Sequence, residues 1–345
     1  MPRLSTTSTQ SPLDGGRPPT IADVAARAGV SKALVSLALR GEPGPNAGTR
    51  ERVLAAAEAL GYRANRTASL LARRRTRQLG VTANVRSAFE AELVEDLQAA
   101  ADALGYELVL SPITRTHGEP RAIETLLGLR CEALILLGPV SPARALAELA
   151  RQLPVISVGR RVRARGVDAV RAADDQGVRQ AVDHLAALGH REIVHIDGGA
   201  GTIAAVRRRG YRAAMEAQGL TPRVIPGDLT EQAGAAAAAS LLGALPTAIV
   251  AVNDRCAVGA LDALTRAGVE VPGDVSVVGY DDSALAQIAH VDLTTVNQDA
   301  ARQARLAVEA AVERLDGGRV RRREVVLPPR LVVRGTTAAP YSYSS

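Results

Sequence analysis

From Leu79 onward the chain alternates short apolar runs with amphipathic segments of helical period, and the rhythm persists for most of the remaining length. Apolar runs stand at 79–85, 107–111, 132–138, 154–158, 192–197, 223–226, 247–252 and 275–280, with helical stretches between most neighbours. A strand that is apolar at every position can be buried on both faces, and a helix after it returns the next strand parallel to the first. The pattern therefore predicts an α/β core of parallel sheets flanked by helices. Roughly 250 residues is large for one open sheet, and the stretch 160–175 breaks the rhythm, so two lobes are expected. In such lobes ligands bind beyond the carboxyl ends of strands, where Asn84, Gly138, Gly159, Gly198, Asn253 and Asp281 fall.

The chain ahead of this core follows different rules. In TIADVAARAGVSKALVSLALRG, residues 20–41, Thr20 can cap a helix with Asp23 three positions on, and Ile21, Val24, Ala25 and Ala28 fall on one face before Gly29 ends it. Ser31 starts a second helix with Leu34, Val35, Ala38 and Leu39 facing inward, leaving Lys32, Ala33, Ser36, Leu37 and Arg40 outward until Gly41. Asn46 can cap a third helix carrying Val53, Ala57 and Leu60, closed by Gly61. Two helices around a tight glycine turn, braced by a third, form a helix-turn-helix, whose second helix enters the DNA major groove. Charge agrees with this reading. Residues 17–78 hold twelve basic and four acidic side chains, whereas residues 79–345 hold 29 basic and 31 acidic ones, so the excess behind the net charge of +6 sits at the front.

Residues 1–17 are rich in Ser, Thr, Pro and Gly and too poor in apolar groups to offset ordering entropy, so a disordered tail is expected there. Residues 65–78, NRTASLLARRRTRQ, read as a helix of about ten residues that needs a partner to form. No run of eighteen apolar residues occurs and the N-terminus lacks the apolar centre of an export signal, so a cytoplasmic protein without membrane contact is expected. Cys131 and Cys256 lack CxxC spacing and suit reduced, packed thiols. No P-loop, GxSxG or HExxH motif is present, and His184, His190 and His195 have no carboxylate at ligand spacing, which argues against an enzyme and against a metal site.

The motifs TIADVAARAGVSKALVSLALRG, TRERVLAAAEALGYRANRTASLLA, HLAALGHREIVHI, VAVNDRCAVGALDAL, VPGDVSVVGYDD and LTTVNQD, in this order and spacing, resemble those of the LacI/GalR family of bacterial transcription regulators. The likeness runs from Thr20 to Thr337. It implies an all-α helix-turn-helix headpiece at 18–63, a hinge helix at 64–78, and a core at 79–337 of two lobes similar to periplasmic binding proteins. By that likeness the first lobe spans about 79–171 plus 298–326 and the second about 172–297 plus 327–337, with a tail at 338–345.

The resemblance also implies a homodimer on a palindromic double-stranded operator, with affinity set by a small effector, a sugar or related metabolite, between the lobes. Repression is the commoner outcome in the family, and activation or dependence on a co-repressor with a non-sugar effector is the alternative. A solute-binding protein would share the lobes but not the basic headpiece. By position, Lys32, Ala33, Ser36 and Leu37 read bases, Thr20, Ser31, Asn46 and Thr49 contact phosphates, and Asn65, Ala68 and Leu71 serve the minor-groove hinge. Asn84, Phe89, Arg160, Arg207, Asn253, Asp281 and Gln298 fall on effector-contact positions, and no cofactor or metal is implied. The chain departs from family habit at Leu37, where Arg or His is frequent, at Gly159, where Asp is common, and in having no Trp.

Overall fold

The computed structural model of the chain describes residues 19–39, 43–62 and 75–340. It divides into two compact units, Met1–Arg75 and Thr76–Ser345. In the first, α1 (Ile21–Ala28), α2 (Lys32–Leu39) and α3 (Ala47–Ala59) close around Val24, Val35 and Val53, each fully buried, with Ala25, Ala28, Ala38, Ala56 and Ala57 between them. Small residues let three short helices approach closely enough to bury so few large side chains. Each helix start is capped by the residue that the sequence marks. The Asp23 carboxylate accepts from the Thr20 N–H and hydroxyl, both at 2.7 Å. Ser31 Oγ accepts from the Leu34 N–H at 3.2 Å, and Asn46 Oδ1 from the Thr49 N–H at 2.8 Å. Gly29 ends α1 with φ +67°, a left-handed conformation that costs glycine least. Leu34, expected to face inward, is half-buried and lies outside the helical core cluster.

In the second unit β1 (Gln78–Asn84), β2 (Glu107–Ile113), β3 (Ala133–Leu137), β4 (Val155–Val158) and β5 (Val167–Ala172) join the late strand β11 (Glu324–Leu327) in a six-stranded sheet ordered β11-β5-β4-β3-β1-β2. Every pairing in it is parallel. β6 (Ile193–Ile196), β7 (Arg223–Ile225), β8 (Ala248–Ala251) and β9 (Ser276–Val278) form a second parallel sheet ordered β7-β6-β8-β9. β10 (Thr295–Asn297) and β12 (Arg330–Val332) pair antiparallel. All five residues of β3 are buried, as a strand covered on both faces requires.

Helices supply that cover. α4 (Ala88–Ala103) packs on one face of the larger sheet together with the late helix α11 (Ala300–Leu315), while α5 (Glu119–Gly128) and α6 (Ala143–Leu149) pack on the other. On the smaller sheet α7 (Asp174–Ala187) and α8 (Thr202–Ala217) cover one face, and α9 (Glu231–Ala239) and α10 (Asp254–Arg266) the other. α9 and α10 touch backbone to backbone: a Cβ on Gly259 would lie 1.9 Å from the Glu231 carbonyl oxygen, and one on Gly234 2.0 Å from that of Cys256.

The eight apolar runs are all strands, and four further strands stand outside them. β5 lies within 160–175 because β4 and β5 pair in parallel without an intervening helix. The connecting loop instead alternates exposed Arg161, Arg163 and Arg165 with buried Val162 and Ala164, which pack into the core beneath α6. β10 and β12 hold three residues each, too few to set a period. The chain passes from the larger sheet to the smaller after β5, returns between β10 and α11, and leaves again between β11 and β12. Gln78, expected in the linker, is the first residue of β1. Cys131 and Cys256 are free and buried, and burial pushes their thiols up to about 11 and about 12 respectively. Among the described residues no helix is long and apolar enough to cross a membrane, and no cluster of His, Cys, Asp or Glu could hold a metal ion.

Candidate nucleic-acid interface and effector cleft

α2 buries Val35 and Ala38 and turns the rest of its surface outward. Lys32 and Ala33 are exposed, and Ser36 and Leu37 half-buried, on successive turns of one face. The Arg50 guanidinium donates to the Ala38 carbonyl oxygen at 3.1 Å, satisfying an end of α2 that would otherwise face solvent. Thr20, Ser31 and Asn46 sit at the starts of α1, α2 and α3, where unpaired backbone N–H groups and the helix dipole favour an anion. Thr49 differs from them: its side chain is buried, with Oγ1 3.4 Å from an Arg52 nitrogen.

The core carries a small cavity of about 80 Å³ between its two sheets. Phe89 and Glu90 of α4 line it from one side, and Arg207 of α8, Asn253, Asp281 and Gln298 from the other. Arg207 is buried and engaged through Nε and Nη1. Its Nε donates to Asp174 at 2.9 Å, Nη1 donates to the Val252 carbonyl at 2.6 Å and lies 3.5 Å from Asp281, and the guanidinium sits 3.6 Å from the Tyr280 ring centroid. A buried guanidinium is tolerated only when charge and hydrogen bonds are met in this way. Gln298 Nε2 donates to Asp281 at 2.7 Å. Burial, helped by the nearby Asp254 and Asp174, outweighs Arg207 and holds the Asp281 carboxyl well above the usual carboxylate range. Asn253 caps α10 through the Cys256 N–H at 2.9 Å and turns its amide nitrogen toward the Leu229 carbonyl at 3.3 Å.

Glu90 is the other unusual group. One carboxyl oxygen accepts the Asn84 N–H at 2.6 Å, yet burial pushes its pKa up to about 7, against that hydrogen bond and with a further push from Glu119. Near neutral pH the cavity therefore holds a carboxyl that can donate as well as accept.

Comparison with known proteins identifies these parts. The profile of bacterial regulatory proteins of the lacI family matches residues 20–65, and that of the periplasmic binding protein-like domain matches residues 182–337. The lactose operon repressor of Escherichia coli is 32% identical over 335 residues, covering 94% of this chain and 92% of that protein. The chain belongs to the LacI family. A solved lac repressor dimer bound to operator and the anti-inducer ONPF superposes with a TM-score of 0.79 at 30% identity, over 94% of this chain and all of that one. The regulator CelR in complex with cellobiose superposes at 0.68 with 31% identity, over 92% and 99% of the two chains. As a LacI-family member the chain is a DNA-binding transcriptional regulator with a helix-turn-helix headpiece and a periplasmic-binding-protein-like core, and not an enzyme.

The cavity gathers some of the effector-contact residues expected from the sequence and not others. Phe89, Arg207, Asn253, Asp281 and Gln298 line it together, brought from five segments far apart in the chain. Asn84 does not line it: its side chain accepts the Arg86 N–H at 3.1 Å and closes the turn after β1. Arg160 lines a neighbouring cavity instead. Glu90 and Asp174 carry no signal in sequence, because a carboxylate in the first turn of a helix ordinarily reads as a solvated partner of the helix dipole. The hinge positions Asn65, Ala68 and Leu71, together with Arg40 and Gly41 and the tail 1–17, lie outside the described residues.

Proposed function

We propose that this regulator represses transcription as a cytoplasmic homodimer on a palindromic operator, and that a small polyhydroxy effector in the interlobe cavity sets its operator affinity. The observation that carries the effector reading is the convergence of Arg207, Asn253, Asp281 and Gln298 with Glu90 on one cavity between two sheets. Amide, guanidinium and carboxyl groups together meet a hydroxyl that both donates and accepts. The cellobiose held by the related CelR and the operator held by the lac repressor dimer support both halves of the reading.

In this mechanism Lys32 donates to a base edge, Ala33 and Leu37 contact thymine methyl groups, and Ser36 completes the reading face. Thr20, Ser31, Asn46 and Thr49 hold phosphates at the helix starts. Asn65, Ala68 and Leu71 form the minor-groove hinge. An effector moves the operator equilibrium only by binding one arrangement of the lobes better than the other. A cavity of about 80 Å³ is smaller than a sugar needs, so the lobes must part to admit one.

The test is selection of bound duplexes from a random DNA pool by the full chain at two salt concentrations. The expected result is an enriched palindrome whose affinity falls steeply with salt. Salt-sensitive binding with no enriched sequence overturns the operator reading.

A further inference from the structure

A larger cavity, about 340 Å³, adjoins the first and shares Gly159 and Ile203 with it. Its size falls in the range of small-molecule sites, about 300–1,000 Å³. The segment after β4 and the end of β5 contribute Arg160, Arg161 and Arg171, while the start of α7 and the face of α8 contribute Asp174, Asp175 and Arg209. It is therefore built by both lobes.

Its charges do not cancel. The Asp174 carboxylate is taken by Arg207 at 2.9 Å. Arg171 and Arg161 share one carboxylate, Glu324, at 3.0 and 3.6 Å. Arg160 Nε is buried without a hydrogen-bond partner, and the exposed Arg209 has no ion pair among the described residues. Only Asp175 stands against these surplus guanidinium groups. A desolvated guanidinium donor with nothing to donate to is costly, and its planar fork matches a phosphate or carboxylate. Gly159 separates the two cavities without a side chain, and a Cβ there would meet nothing within 4 Å.

We propose that this arginine-lined cavity binds the oxyanion of a small metabolite, a phosphate or carboxylate, whose uncharged part reaches the first cavity past Gly159. The proposal rests on reading that first cavity as an effector site. Arg207 is not the anion ligand, because it lines the first cavity and not this one. Arg160 and Arg209 are the specificity-determining residues. An anion between them ties a loop of one lobe to a helix of the other, so its binding also bears on lobe orientation.

Titration calorimetry of the full chain with inorganic phosphate and with malonate, each against chloride at equal ionic strength, tests this. At least one anion should bind with a millimolar or tighter Kd, phosphate preference indicating a phosphorylated effector and malonate preference an acidic one. Arg160→Gln/Arg209→Gln should weaken that binding at least tenfold, and Arg209→Gln alone, at an exposed side chain that folding does not use, about threefold. Binding of neither anion above the chloride control overturns the proposal, as does unchanged affinity in both variants, which would locate the anion on the basic headpiece. Cellobiose, the ligand of the related CelR, titrated in parallel reports the first cavity, so its binding beside a failed anion titration sinks only the present inference.

Discussion

The proposed DNA-reading face and the proposed effector cavity solve opposite problems with similar residue types. On α2 Lys32 and Ala33 stand in water with Ser36 and Leu37 half-buried beside them, and the helix beneath is secured by caps and a cluster of Val and Ala. In the core Arg207, Asn253 and Gln298 are themselves buried, and Arg207 is simultaneously a cavity wall and the neutralising partner of Asp174. The difference teaches that recognition and stability are separable in the headpiece and fused in the core. A variant at the reading face should cost affinity alone, whereas one in the cavity should cost both.

The sharpest break of that comparison comes from Arg207→Met. Removing the guanidinium leaves the buried Asp174 without its cation, and breaking one partner of such a pair costs about 3–5 kcal/mol. Urea unfolding of the core should show that loss, and near-wild-type stability would mean that Arg207 is dispensable to packing.

Glu90→Gln probes the same fusion with the opposite sign. The folded-state pKa is raised from 4.5 to about 7, so the group favours folding at pH below its unfolded value. That advantage is lost as pH rises toward 7, because the unfolded chain ionises first. Glutamine keeps an oxygen for the Asn84 N–H and never ionises. The variant should therefore exceed wild type in stability at pH 8 by up to about 3 kcal/mol, with the gap closing toward pH 4. Urea midpoints measured at both pH values check this, and a gap independent of pH would place Glu90 in water rather than in the cavity.

Lys32→Ala gives the smallest effect and the cleanest separation. It should weaken binding to the selected operator by about 1–3 kcal/mol, the range of one specific base contact. Folding stability should stay within about 0.5 kcal/mol of wild type, as for other exposed positions. Equal losses in fluorescence-anisotropy titration and in urea unfolding would show that the reading face is part of the headpiece core after all.

Much of the headpiece was legible because its information is local. Thr20 with Asp23, Ser31 with Leu34, and Asn46 with Thr49 are contacts three residues apart, and the buried faces recur at helical spacing. The apolar runs of the core were legible for the same reason, while β5 was missed because its return in parallel uses a loop where a helix is customary. Within the cavity, Asn253 and Asp281 are legible from the carboxyl ends of apolar runs as well as from family likeness, whereas Phe89, Arg207 and Gln298 rest on the likeness alone.

The sequence by itself determined the helix-turn-helix, the parallel α/β character of the core and the concentration of positive charge at the front, since each follows from neighbours within a few residues. Tertiary structure alone decided that Glu90 is largely shielded from water, that Asn84 closes a turn away from the cavity wall, and that Arg160 and Arg209 line one cavity. Solvation of a charge depends on every element packed around it, and those elements arrive from positions up to a hundred residues or more apart.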